Sequence, residues 1–299
     1  MGRADATLAR GVTAALHWHA LRAAHARDGQ RLDFCIDAHG VGSVAREHLA
    51  VLQALNAPLQ WHAQRITLAV PADERTPVLA ALNLRLRDAG LIRAWRDEVF
   101  PLLDLQTLQP LAHIERAAAR FWGTLTLGAH ATGYVAGPDG RPEALWIARR
   151  SPTKATDPGL YDNLIGGGVP AQQSPAQALV REGWEEAGLT PAQMHAARPG
   201  RVMRLWRDIP EGLMLEDLYS FDLQLPAGLT PCNQDGEVAG FELMPVPRAL
   251  DLARSEQMTV DAALVTLDFA LRHGLLPPDE APALSAALAP LLRPTSLST

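Results

Sequence analysis

Residues 166–189 read GGGVPAQQSPAQALVREGWEEAGL: a glycine cluster, an amphipathic segment, then a run of acids closed by another glycine. Ser174 followed by Pro175 is a favourable N-cap and first helical residue, and Gly188 supplies a C-terminal stop. A helix is therefore predicted between them. On that helix Glu182, Glu185 and Glu186 stand at i, i+3 and i+4, which stacks three carboxylates on one face. Like charges at this spacing repel and weaken the helix unless a cation sits among them. Oxygen ligands suit a hard divalent ion, so the stretch asks for Mg²⁺, with Mn²⁺ as a substitute. A glycine-rich turn ahead of the helix lets backbone approach a bound ligand closely. The plainer alternative is a solvated glutamate face with one Arg181–Glu185 pair worth about 0.3–0.5 kcal/mol. It leaves the three leading glycines unexplained.

Gly167, five residues, Gln173, seven residues, Arg181-Glu182 and then Glu185-Glu186-Ala187-Gly188-Leu189 resemble the Nudix box, the Mg²⁺-binding loop-helix-loop of diphosphate hydrolases. The resemblance implies an α/β/α sandwich on a mixed sheet. It also implies a metal held by Glu182, Glu185 and Glu186 with the Gly167 carbonyl and Glu237. Glu182 and Glu185 become the candidate catalytic residues, Glu182 first as general base. Two positions depart from the pattern: Gln173 stands where the box has Glu, and Gly183 where it has a bulky aliphatic. Gln173 can still accept a hydrogen bond from Arg181, while Gly183 lowers helix propensity by about 1 kcal/mol relative to Ala.

The rest of the composition bounds the setting. With 299 residues the chain can form two modest cores, and 47% hydrophobic with 20% charged residues is ordinary for a globular protein. No apolar run reaches the ~18 residues of a membrane helix, so no membrane partner is expected. The first thirty residues, with Leu16, Trp18 and Leu21 among alanines, lack a secretory h-region and read as a first helix. Cys35 and Cys232 cannot build a disulfide framework or a metal cluster, which fits a reducing cytoplasm. A net charge of −6, with 12 Arg against 12 Asp plus Glu in residues 1–115, gives no footprint for nucleic acid.

Periodicity divides the chain into a small α+β unit over residues 1–115 and an α/β unit over 116–299. In the first, Leu32–Ile36 and Gln64–Val70 are predicted strands, and Ser43–Leu55 and Glu74–Ala89 predicted helices. Pro101–Glu115 reads as a connector. In the second, strands are expected at Thr124–Val135, Ala144–Ala148, Val202–Trp206, Leu218–Leu225 and Val238–Met244. Helices are expected near Val260–His273 and Ala281–Leu292.

Just before the glycines, ARRSPTKATDPGLYDNLIGGG brings Arg149, Arg150 and Lys154, the chain's one lysine, toward the acids. Cations there suit diphosphate oxygens. Asp162, Asn163 and Arg181 complete the candidate substrate-binding set. The order RRSPTK, DPG, DN, GGG and a degenerate box, with Leu91–Glu98 and Pro231–Val238 as further matches, is similar to a narrower Nudix group. Its members carry their own N-terminal domain and are related to the Nudix part of thiamine pyrophosphokinase fusions. This resemblance implies removal of phosphate from thiamine diphosphate or its oxo and oxy analogues to give the monophosphate. Hydrolysis of nucleoside diphosphate derivatives is the alternative at the same box, and a non-catalytic ligand sensor is another. Isopentenyl diphosphate isomerisation would need a cysteine with histidine ligands, which the spacing does not provide. Trp184, Trp206 and Tyr219 are expected mainly as core. The N-terminal unit is expected to wall the cleft or to mediate homodimer contact.

Overall fold

In the computed structural model, which describes residues 17–27 and 29–294, a short helix His19–Ala23 leads into a four-stranded sheet. Trp18 beside it is fully buried, while Leu16 lies outside the described residues. The sheet contains β1 (Arg31–Ile36), β2 (His39–Ala45), β3 (Leu59–Trp61) and β4 (Arg65–Leu68), in the order β2-β1-β4-β3. Helix Ala72–Asp88 covers it, packing Leu79, Leu82 and Leu86 with Phe34, Ile66 and Leu68 into one core. The helix expected at Ser43–Leu55 begins only at Leu49, after a 3-10 turn. Pairing of β2 with β1 reaches Ala45 and claims Ser43 and β-branched Val44 for the strand.

The stretch Pro101–Glu115, expected as a connector, is largely a hairpin of β5 (Val99–Leu103) and β6 (Pro110–Glu115). A two-stranded ribbon leaves each strand an open edge, where proline costs no ladder bond. Glu115 then caps helix Arg116–Phe121 by accepting from the Ala117 and Ala118 amides at 2.6 and 3.3 Å. Ala118, Phe121 and Trp122 belong to the N-terminal core, so its packing extends past residue 115.

The large sheet is built from β7 (Leu125–Ala136), β8 (Pro142–Arg150), β9 (Tyr161–Asp162), β10 (Ile165–Gly168), β11 (Arg198–Ile209), β12 (Gly212–Gln224), β13 (Val238–Pro245) and β14 (Leu292–Arg293). Its main path is β13-β8-β7-β12-β11-β14, with β10 beside β7 and β9 beside β8. The β7–β12 pair is parallel and the β7–β8 pair antiparallel, a mixed sheet. Alternation along β8 sends Leu145 and Ile147 to one core and Trp146 to the other. Helices Val246–Arg254, Val260–Arg272 and Ala281–Leu288 cover the first face, and helix Pro175–Ala187 the second. This is the expected α/β/α sandwich following a small α+β unit.

The covering helix Val260–Arg272 is locked to the sheet by a buried charge. Asp268, fully buried, accepts from Arg201 on β11 at 2.5 Å, Arg272 at 2.8 Å and Ser220 on β12 at 3.0 Å. Removing one partner of such a network strands the others. Asp268→Ala is expected to destabilise the protein by about 3–5 kcal/mol, read from urea unfolding midpoints at unchanged m-value.

Candidate active site

The glycine cluster is strand β10, laid against β7 so that Gly166 pairs with His130 and Gly167 with Ala129. Each glycine is required by what presses on it. A Cβ at Gly166 would lie 2.7 Å from the His130 ring, at Gly167 2.2 Å from the Glu182 carboxyl, and at Gly168 2.7 Å from the Phe100 ring. Opposite stands the acid helix, opened by a Ser174–Gln177 capping box and closed by Gly188 in the left-handed region at φ 66°. Gly183, the departure from the box, has a packing reason. Its Cβ would meet the Met194 sulfur at 2.7 Å, because helix Pro191–Met194 crosses there, so a bulky aliphatic would have to displace the Met194 side chain.

The helix turns Glu182 and Glu186 inward, 8% and 5% exposed, and leaves Glu185 half-buried. The Gly166 amide donates to Glu186 at 2.8 Å. Burial still pushes the Glu186 carboxyl up to about 8, with Lys154 opposing the rise and Glu182 adding to it. Burial also raises Glu182, against the pull of Arg181. Lys154 bridges Glu186 at 3.3 Å and Glu237 at 2.7 Å. Partial burial acts upward on Glu237, but the Lys154 ammonium and Arg96 outweigh it and hold the group below its usual range. Arg181 donates to Glu182 at 2.8 Å, Glu185 at 2.6 Å and Gln173 at 3.4 Å, so Gln173 accepts as expected.

The acids are thus held apart by two cationic side chains. Among the described residues no three His, Cys, Asp or Glu side chains are already gathered as a metal cluster. An ion on the expected set of Gly167, Glu182, Glu185, Glu186 and Glu237 would take over the positive charge that Lys154 supplies to Glu186 and Glu237, while Arg181 holds one oxygen each of Glu182 and Glu185. The donor chemistry nonetheless fits a hard divalent cation. It consists of carboxylates and backbone, and two of the carboxylates are buried, where added positive charge lowers the cost of ionisation.

The remaining expected residues divide. Arg150 and Lys154 line a cavity of about 510 Å³ together with Gly166, Gly167, Arg181 and Glu237. Asp162 is buried and pairs with Arg150 at 2.7 Å, so it orients that guanidinium. Asn163 departs from its expected substrate contact. Its amide donates to Thr266 at 3.2 Å, and its carbonyl faces His130 at 3.2 Å inside the fold. Arg149 departs too, because strand alternation turns it outward, over the Tyr161 ring at 5.1 Å. Trp184 is 51% exposed rather than core.

Several lining residues come from a region whose sequence gave no chemistry. Arg96, Phe100 and Arg116, from the N-terminal unit and the helix after it, line a second cavity of about 350 Å³ that shares Arg150, Gly166 and Gly167 with the first. Arg116 is held by Glu98 at 2.8 Å. Arg96 lies within Leu91–Glu98, the segment that carried the narrower resemblance, and this was the available signal.

A glycine strand facing a glutamate helix on an α/β/α sandwich defines a class of phosphoanhydride hydrolases, and the comparisons agree with it. The NUDIX domain model matches residues 126–264, and a domain of unknown function, DUF4743, matches residues 14–126. Nudix hydrolase 24, chloroplastic, of Arabidopsis thaliana is 34% identical over 258 residues, covering 84% of this chain and 70% of its own. Nudix hydrolase 20, chloroplastic, of the same plant is 37% identical over 210 residues, covering 69% and 55%. An uncharacterized protein of Saccharomyces cerevisiae is 30% identical over 203 residues, covering 64% and 59%. A solved structure from Deinococcus radiodurans aligns with 56% of this chain and 97% of its own, at 23% identity and a TM-score of 0.43. The chain belongs to the Nudix hydrolase family.

Gly167→Ala tests the fit between strand and helix. The new methyl must displace the Glu182 carboxyl, the movable end of a side chain. Unfolding free energy is expected to fall by less than about 2 kcal/mol. The rise in Tm produced by Mn²⁺ in the unaltered protein should shrink in the variant, as differential scanning fluorimetry would show.

Proposed function

We propose that the chain is a Mg²⁺- or Mn²⁺-dependent hydrolase that cleaves thiamine diphosphate, or its oxo and oxy analogues, to the monophosphate. The observation that carries the reading is the opposition of charges across one cleft. Arg96, Arg116, Arg150 and Lys154 line the same cavity as Glu182, Glu185 and Glu237. A diphosphate bridges the two sets, with its oxygens on the guanidiniums. The thiamine assignment rests on the RRSPTK, DPG, DN and GGG order and on the likeness extending through the N-terminal unit.

Bound among Glu182, Glu185, Glu186, Glu237 and the Gly167 carbonyl, a divalent cation would neutralise the diphosphate and acidify a water. The chain's own residues supply the rest. Arg96 and Arg116 hold the terminal phosphate oxygens, and Arg150, fixed by Asp162, adds a third donor. Arg181 orients Glu182 and Glu185. Glu182 takes the proton of the attacking water, because its burial raises its basicity against the opposing pull of Arg181. The apolar edge of the second cavity, with Phe100 and Met214, accommodates the ring.

Phosphate release and product mass would be followed with Mg²⁺ for thiamine diphosphate, its oxo and oxy analogues, isopentenyl diphosphate, and nucleoside diphosphate sugars, whose cleavage yields a nucleoside monophosphate and a sugar phosphate. Thiamine-type compounds are expected to turn over fastest; turnover of a nucleotide alone would discard the substrate and keep the site. Glu186→Gln preserves the acceptor for the Gly166 amide and should retain its circular dichroism. It is expected to lose about 10²-fold or more in turnover, and undiminished activity would overturn the assignment.

A further inference from the structure

The cavity of about 350 Å³ is lined by charge, and two of its acids are matched by arginine. Asp162 is paired with Arg150 at 2.7 Å and Glu216 with Arg120 at 2.7 Å. Asp157, Glu211 and Asp261 line the same cavity, and among the described residues no Arg, Lys or His side chain lies within salt-bridge distance of them; of the three, Asp261 stands on a helix and the others on a bend and a turn. Its surroundings sharpen the demand. Burial pushes its carboxyl up to about 6; Glu216, Asp157 and Asp162 add to the rise, and His130 opposes it. A carboxylate among carboxylates gains most from a hydrogen-bond donor.

Asp261 is also rigidly mounted. It is the second residue of helix Val260–Arg272, whose N-cap Thr259 accepts from the Ala262 amide at 3.3 Å and whose Asp268 is locked to β11 and β12. A side chain on such an element holds its position without help from the ligand. In the same lining, Phe100, Ile209, Pro210 and Met214 give the cavity apolar surface on which a flat ring can lie.

We infer that Asp261 is the specificity residue of this cleft, accepting an N–H hydrogen bond from a nitrogen heterocycle attached to the diphosphate. The inference rests on the hydrolase reading for its placement of the phosphates at the arginine-lined end. An aminopyrimidine and an adenine both present such an N–H, and the two sources separate in the test.

The test is binding by titration calorimetry to the full chain with Mg²⁺, using monophosphates, which the proposed reaction does not consume. Thiamine monophosphate, AMP and isopentenyl monophosphate are compared; the last carries no N–H. At least one heterocyclic ligand is expected to bind about tenfold or more tightly than the alkyl one, and which of the two does so identifies the source. Asp261→Ala should abolish that preference, and Asp261→Asn, which keeps an acceptor oxygen, should retain part of it. No preference in the unaltered protein, or a preference that survives in Asp261→Ala, overturns the inference. If Asp261→Ala does not fold, equal preference in Asp261→Asn and the unaltered protein overturns it as well. Phosphate release is scored separately. A binding preference that depends on Asp261, without turnover of any diphosphate, would overturn the hydrolase reading and leave this one standing.

Discussion

Two carboxylates buried between a glycine strand and a helix govern this site. Glu182 and Glu186 lie almost out of solvent, and an ionised carboxylate there is costly unless positive charge or hydrogen-bond donors reach it. The surrounding architecture answers that cost. β10 has no side chains where the carboxyls press, its Gly166 amide turns to Glu186, and Lys154 and Arg181 close on the acids from either end. The same pressure explains why the chain's one lysine stands where it does. A compact ammonium fits between Glu186 and Glu237, where a planar guanidinium would demand more room.

The N-terminal unit is part of this arrangement. It is held to the sandwich at close range: the Ala171 amide, just after β10, donates to the Val99 carbonyl of β5 at 2.8 Å, and the Trp206 amide of β11 donates to the Ala24 carbonyl at 2.9 Å. The Arg96–Glu237 contact at 3.3 Å and the Arg120–Glu216 pair at 2.7 Å cross the cleft near the acids. A sandwich alone would present an open groove. With Arg96, Phe100 and Arg116 in place, the groove has a cationic wall and an aromatic one.

Local signals were legible wherever local physics decides. The acid helix, its capping residues and the Gly188 stop stand where periodicity and capping chemistry put them. They failed where pairing with a distant strand overrode local preference, as at Ser43–Ala45, and where two prolines disguised the β5–β6 hairpin. Within the site, Glu182, Lys154 and Arg150 line one cavity and Glu186 meets Lys154 beside it, with Glu182 and Glu186 on the helix face that their spacing predicts. Arg149 and Asn163 were misplaced because adjacent residues on extended chain face opposite ways, and sequence proximity does not say which way.

The sequence by itself determined the family, the acid helix and the hard-oxygen chemistry of its ligands, since all three follow from residue type at fixed local spacing. Tertiary structure alone decided which cations meet which acids, and that Arg96, Phe100, Arg116 and Asp261 share one cavity. These residues are separated by up to 165 positions (261 − 96). Charge and shape complementarity over such separations depends on how two cores dock, and no local pattern encodes it.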